Sequence, residues 1–131
     1  MAMERLVNLA VVCAGSALGG GARYLVALWI AARGWTAFPW ATLIVNVVGC
    51  FLIMLIVTIA AATTLPTNLR LFLTTGVMGG LTTYSTFDYE TTNFLQAGEA
   101  MSAVVYVGST LVACFVAGLL GIAVARIFVG H

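Results

Sequence analysis

Hydrophobic positions along the chain fall into four long runs, and the short breaks between them contain Gly, Pro, Trp or charged residues. Crossing a bilayer takes about 20 apolar residues, and each run reaches that length. The pattern therefore predicts an all-α integral membrane protein with four transmembrane helices in a single domain, 1–131. The predicted spans are, in chain order, 6–32, 38–62, 69–95 and 100–128.

Composition supports a lipid environment and excludes several classes of function. Of the 131 residues, 63% are hydrophobic and 7% charged, whereas a soluble domain has about 25% charged residues. A formal net charge of +1 gives no electrostatic basis for binding nucleic acid. Three cysteines at wide spacing predict neither a metal site nor a disulfide framework. The sequence contains no nucleophile–base pair, so we expect no enzyme activity.

The middle of the third span is unusually polar and reads GGLTTYSTF over residues 79–87. Irregular backbone at membrane depth is tolerated where it is buried in protein or lines a watery cavity. A helix break near 79–83 would free backbone groups to hold an ion. The hydroxyls of Ser85 and Thr86 are candidates for the same pathway. The alternative is a simple glycine kink with back-bonded threonine side chains.

Two aromatic residues of this segment, Tyr84 and Phe87, are three positions apart and share one helical face. An aromatic ring has a positive edge and a negative face. Ring edges directed into a pore would stabilise an anion without holding it as tightly as an arginine. The alternative is an aromatic pair that fills a helix interface.

Neutral hydrogen-bond donors follow the neighbouring spans. Asn46 lies in the second span, and Tyr106, Thr110 and Cys114 recur every four residues in the fourth. A track of neutral donors suits a small anion that must lose water yet move on. Arg23 lies well inside an apolar run, where it supplies a positive field at a pore mouth or extends to the interface. The span centres contain no carboxylate, which argues against proton coupling.

Small residues predict close helix packing in two places. Gly15 and Gly19 form a GxxxG pattern in the first span, and Ala113, Ala117 and Gly121 repeat at four-residue spacing in the fourth. Such stripes let helix backbones approach each other in a membrane.

Taken together, these motifs resemble the bacterial Fluc (CrcB-type) fluoride channels over nearly the whole chain. The resemblance includes Arg23 in a Gly-rich first helix, the Asn46-Val47-Val48-Gly49 element, the 79–87 motif with Glu90, and the Tyr106/Thr110 stripe. It implies a third helix broken at its centre and an antiparallel dual-topology homodimer with two fluoride pores.

The resemblance also implies roles for individual residues. The family's pore aromatics correspond to Tyr84 and Phe87, its polar-track asparagine to Asn46 and its hydroxyl position to Thr110. A structural sodium ion at the dimer centre would be held by backbone carbonyls at Gly79 and Thr82. Two positions depart from the family pattern: Tyr84 replaces the usual phenylalanine, and Cys114 replaces the usual serine and is a weaker donor.

The function implied is passive export of fluoride from the cytoplasm through a bacterial inner membrane, which relieves fluoride toxicity. One alternative is a small multidrug-type exporter, also a four-helix dual-topology dimer. Such exporters normally use a central glutamate in the first helix, and positions 8–30 contain none. A non-transporting membrane subunit is a third possibility, but it leaves the hydroxyl run of the third span without a purpose.

Overall fold

The computed structural model describes residues 1–130, and these residues form helices joined by short connections. The elements are α1 (Ala2–Ala32), α2 (Trp40–Ala62), α3 (Thr67–Leu71), a π-helix (Phe72–Met78), α4 (Gly79–Leu81), α5 (Tyr84–Gln96) and α6 (Ala100–Val129). Three of them, α1, α2 and α6, are long and apolar enough to cross a membrane. The chain is thus an all-helical, multi-pass membrane protein.

The polar third segment is interrupted in its middle. Helical backbone runs from α3 through the π-helix to Leu81, where α4 ends. The next two residues are extended, with φ/ψ of −83°/155° at Thr82 and −152°/122° at Thr83. Helix α5 begins at Tyr84. The extended pair leaves backbone groups without helical partners, and π-helical turns are themselves frequent near functional sites.

Helix α1 packs backbone to backbone against this segment. A Cβ atom added at Gly15 would lie 2.6 Å from the carbonyl oxygen of Phe72, and one at Gly19 would overlap the carbonyl oxygen of Val77. No larger side chain fits either position without moving the helices apart. The GxxxG prediction of close approach is therefore confirmed, and the contact fixes the π-helix and α4 beside α1.

Helices α2 and α6 form the other close pair. Ala117 and Gly121 of the predicted small-residue stripe are buried. A Cβ added at Gly121 would lie 3.2 Å from the Leu55 nitrogen, and one at Gly118 would lie 3.4 Å from the Met54 side chain. Gly118 contacts Met54, and Gly121, further along α6, contacts Leu55, further along α2. The two helices therefore run parallel.

A buried apolar cluster joins the two pairs. Val45 of α2 packs with Met78 of the π-helix and Leu81 of α4. Val45 precedes Asn46, and Leu81 precedes the extended residues. The apolar contact therefore holds the polar side chain of Asn46 against the interruption in the third segment.

Candidate functional site

An open groove of about 740 Å³ runs beside the extended residues, between α2, the third segment and α6. It brings together most of the residues that the sequence proposes for an ion site. Those that line the groove are Asn46, Gly79, Thr82, Tyr84, Phe87, Thr110 and Cys114. Of the remaining candidates within the described chain, Arg23, Ser85, Thr86 and Tyr106 lie outside its lining.

The buried side chain of Asn46 is joined to the backbone of Thr83 by two hydrogen bonds. Its Nδ2 donates to the Thr83 carbonyl at 3.1 Å, and the Thr83 N–H donates to its Oδ1 at 2.8 Å. The amide thus replaces the helical partners that the extended backbone lacks. Nδ2 carries a second hydrogen that neither of these two bonds uses.

The side chain of Thr83 caps the start of α5. Its Oγ1 accepts a hydrogen bond from the Thr86 N–H at 3.2 Å and donates to the Thr86 hydroxyl at 3.0 Å. The Ser85 hydroxyl lies 3.4 Å from the same oxygen. Ser85 and Thr86, predicted as pathway residues, are therefore part of the capping network in this chain. An N-cap hydroxyl of this kind stabilises a helix by about 1 kcal/mol.

These hydrogen bonds release two backbone carbonyls. In a continuous helix the Gly79 carbonyl would accept from the Thr83 N–H, and the Thr82 carbonyl from the Thr86 N–H. Here the Thr83 N–H donates to Asn46 and the Thr86 N–H donates to the Thr83 hydroxyl. The carbonyls of Gly79 and Thr82 are thus deprived of their helical donors, and both residues line the groove.

Three aromatic rings of α5 and α6 lie next to one another in tilted arrangements. The rings of Tyr84 and Phe87 are 5.6 Å apart, as their spacing predicts, and the Phe87 and Tyr106 rings are 5.1 Å apart. Phe87 is only 7% exposed, whereas Tyr84 is 78% exposed. Phe87 is thus packed into the groove wall, whereas most of the Tyr84 side chain is exposed.

The carboxylate of Glu90 lies next to the polar side chains of α2 and α6. No role for it in the site was predicted from the sequence. Glu90 accepts hydrogen bonds from the Tyr106 hydroxyl at 2.6 Å and from the Thr42 hydroxyl at 2.8 Å. Tyr106 is fully buried, and the hydrogen bond of its hydroxyl goes to Glu90. Helical spacing offered a signal, because Glu90 lies three residues after Phe87 and Thr42 lies four before Asn46.

Within the described chain, the Thr110 hydroxyl is buried and has no hydrogen-bond partner. It lines the groove one helical turn from Cys114, which is half-buried. An unpaired buried hydroxyl costs about 1–3 kcal/mol, so native structures usually supply it with a ligand or water. Thr110 therefore marks a point where the groove can offer a donor.

Arg23 lies on α1, away from the groove lining. It follows Gly19 by four residues and therefore continues the face of α1 that meets the third segment. Its side chain is half-buried. This position fits a charge near one end of the site better than a direct ligand.

Comparison with known proteins places these features in a family. Residues 10–122 match the family described as CrcB-like protein, Camphor Resistance (CrcB). The chain is 43% identical over 126 residues to the fluoride-specific ion channel FluC of Anaeromyxobacter sp. (strain K), covering 95% of this chain and 100% of the relative. It is 46% identical over 122 residues to FluC of Geobacter metallireducens, covering 92% and 98%. The match includes every residue of the groove, and the chain belongs to the CrcB family.

Proposed function

We propose that this protein is a fluoride-selective channel that lets fluoride leave the cytoplasm down its electrochemical gradient. Family membership and the neutral donors of the groove support this function. The observation that carries it is the Thr110 hydroxyl, a buried donor without a protein partner, in the same groove as Asn46. In a bacterial inner membrane such a channel would relieve fluoride toxicity. Its activity is transport without chemistry, so the protein is not an enzyme.

The groove replaces the water around fluoride with fixed donors. Asn46 contributes its second amide hydrogen and Thr110 its hydroxyl, and the Phe87 ring contributes a positive edge. Cys114 adds a weak thiol donor. Neutral donors bind an anion strongly enough to admit it and weakly enough to release it to the next position.

We further propose that two copies assemble as an antiparallel dual-topology homodimer. The groove of one chain is open along one side, and polar backbone in a membrane must be covered by protein or water. A second copy would close it and form a pore. The third segment would then span the bilayer as two half-helices that meet at Thr82 and Thr83.

A structural sodium ion at the dimer centre is consistent with the donor set. The Gly79 and Thr82 carbonyls have lost their helical donors, and neutral carbonyl oxygens suit hard cations. The ion would supply positive charge where the two half-helix ends meet. We expect the purified protein to melt at a higher temperature in sodium than in N-methylglucamine buffer of equal ionic strength. Equal melting temperatures would argue against the ion.

Fluoride efflux from proteoliposomes tests the function directly. Protein reconstituted with a potassium ionophore should release fluoride, monitored with a fluoride electrode, when no proton or sodium gradient is imposed. Chloride release under the same conditions should stay at the level of empty liposomes. A strict requirement for a coupling gradient would refute the channel.

Thr110→Val isolates the observation that carries the proposal. The substitution removes a hydroxyl that has no protein partner, so fluoride efflux should fall while thermal stability is maintained. The matched control is Ser109→Ala, which removes a neighbouring hydroxyl that donates to the Tyr106 carbonyl at 3.1 Å. Efflux that is unchanged in Thr110→Val would remove this donor from the path.

Assembly is tested by labelling from the two sides of the membrane. A cysteine placed before Met1, in a chain whose native cysteines are serines, should react with an impermeant maleimide from both sides in comparable amounts. Labelling from one side alone would contradict the antiparallel dimer.

A further inference from the structure

Two of the three cysteines, Cys50 and Cys114, lie in the wall of the groove. Gly118 of α6 lies in ordinary contact with α2, because an added Cβ would be 3.8 Å from the Cys50 carbonyl oxygen. Cys114 precedes Gly118 by one helical turn and lies on the same face. Cys50 and Cys114 line the same groove. Cys50 and Cys114 are called the thiol pair below.

The thiol pair is open to small solutes from two cavities. Both residues line the large groove, and both also line an adjoining apolar cavity of about 390 Å³. Both side chains are half-buried. The third cysteine, Cys13, is exposed on α1 and belongs to neither cavity.

The surroundings of the thiol pair select the kind of ligand it can take. Among residues 1–130, no group of three or more His, Cys, Asp or Glu side chains could hold a metal ion, so a four-coordinate zinc site has no further ligands. Two sulfur ligands in an apolar wall suit a soft cation of low coordination number. Thiolates select Cu(I) among such ions, and Ag(I) has the same charge and preference for sulfur.

We propose that Cys50 and Cys114 form a two-thiolate site for a soft monovalent cation of the Cu(I) class, and that its occupation closes the anion path. On binding, each S–H bond breaks, two metal–sulfur bonds form, and two protons pass to the solvent. Two thiolates and one monovalent cation leave a net charge of −1 in the groove. That charge repels an anion, and the Cys114 donor is lost, so the closing of the path rests on the proposed function.

Silver titration tests the site with Ag⁺ as the probe, in chloride-free buffer. The parent protein carries Cys13→Ser, and the matched variant adds Cys50→Ser, which replaces the soft sulfur by a hydroxyl oxygen and otherwise keeps the shape of the side chain. We expect the parent to bind one Ag⁺ per chain and the variant to bind it roughly 100-fold more weakly, because one anchored ligand raises the effective concentration of the other. A silver electrode measures both. Cys50→Ala serves as a second variant if the serine chain does not fold.

Fluoride efflux on the same preparations tests the consequence. Ag⁺ at the concentration that saturates the parent should abolish its efflux and leave that of the Cys50→Ser variant unchanged. Equal Ag⁺ affinity in the two proteins, or full efflux from the saturated parent, would overturn the proposal. If the parent carries no fluoride before silver is added, the channel function fails and the titration still decides whether the site exists.

Discussion

The Asn46 side chain and the Thr83 backbone are joined by a reciprocal pair of hydrogen bonds, 3.1 Å and 2.8 Å long. One residue thereby performs two tasks. It provides hydrogen-bond partners for the Thr83 N–H and carbonyl where the third segment is extended, and it has one further amide hydrogen that this pair does not use. An amide can donate to a carbonyl, accept from an N–H and still offer a second N–H, whereas a hydroxyl has only one hydrogen to donate, so asparagine suits this position.

Asn46→Asp should abolish fluoride efflux and also weaken the fold. Aspartate can still accept from the Thr83 N–H but cannot donate to its carbonyl, and it places negative charge beside an anion path. Loss of the donor should lower the free energy of unfolding by about 1–3 kcal/mol. Proteoliposome efflux and thermal melting measure the two effects.

Asn68→Asp is the control for the charge change, because Asn68 is exposed at the start of α3. It should conduct and melt like the native protein. Native efflux from a folded Asn46→Asp protein would show that the amide is outside the path.

Gly19→Ala should destabilise the protein and Gly21→Ala should not, although the two changes differ only by position on α1. A Cβ at Gly19 would overlap the Val77 carbonyl oxygen, whereas one at Gly21 meets nothing within 4 Å. Overpacking at Gly19 should cost about 1–3 kcal/mol of stability. At Gly21 alanine should be neutral or stabilise by about 0.5–1 kcal/mol, because it restricts the unfolded chain. Melting temperatures in detergent compare the two, and equal values would contradict the packing of α1 on the π-helix.

Several of these features follow from the sequence because they depend on local order. Long apolar runs predict α1, α2 and α6, and the Gly15/Gly19 spacing predicts the close contact of α1. The rings of Tyr84 and Phe87 are neighbours because residues three apart share a helical face. Hydropathy and spacing are properties of one segment, so one segment suffices to predict them.

Other features depend on which segments meet, and the sequence does not encode that locally. The Asn46–Thr83 pairing joins residues 37 positions apart. Tyr106 is predicted as a donor to the ion, but its hydroxyl donates a hydrogen bond to Glu90, because α5 and α6 are in contact at these two residues. Glu90 is part of the motif that carries the resemblance, but its two hydrogen-bond partners come from other helices. The π-helix from Phe72 to Met78 had no signal, because its pattern of side chains resembles that of an ordinary helix.

The two donors to Glu90 should be energetically coupled. Thr42→Val and Tyr106→Phe each remove one hydrogen bond to a carboxylate, which should cost about 1.5–3 kcal/mol apiece. Removing both leaves the carboxylate unpaired, so the double variant should depart from additivity by about 0.5–3 kcal/mol. Unfolding in denaturant measures the cycle. Glu99→Gln, which alters an exposed carboxyl, should have little effect, and strict additivity would show that the two hydroxyls act independently.

Phe87→Ile and Tyr84→Phe test whether ring edges carry the anion. Phe87 is held at the groove wall between the rings of Tyr84 and Tyr106. Isoleucine keeps an apolar side chain there but has no positive ring edge, so fluoride efflux should fall severely. Tyr84→Phe removes only a hydroxyl from an exposed ring, so efflux should persist. Efflux is measured on samples whose folding has been checked by thermal melting, because Phe87 is buried and its replacement also alters packing.

Normal efflux from Phe87→Ile would show that the ring only fills space. A folded Tyr84→Phe protein without efflux would show instead that the phenol hydroxyl holds the anion by a hydrogen bond.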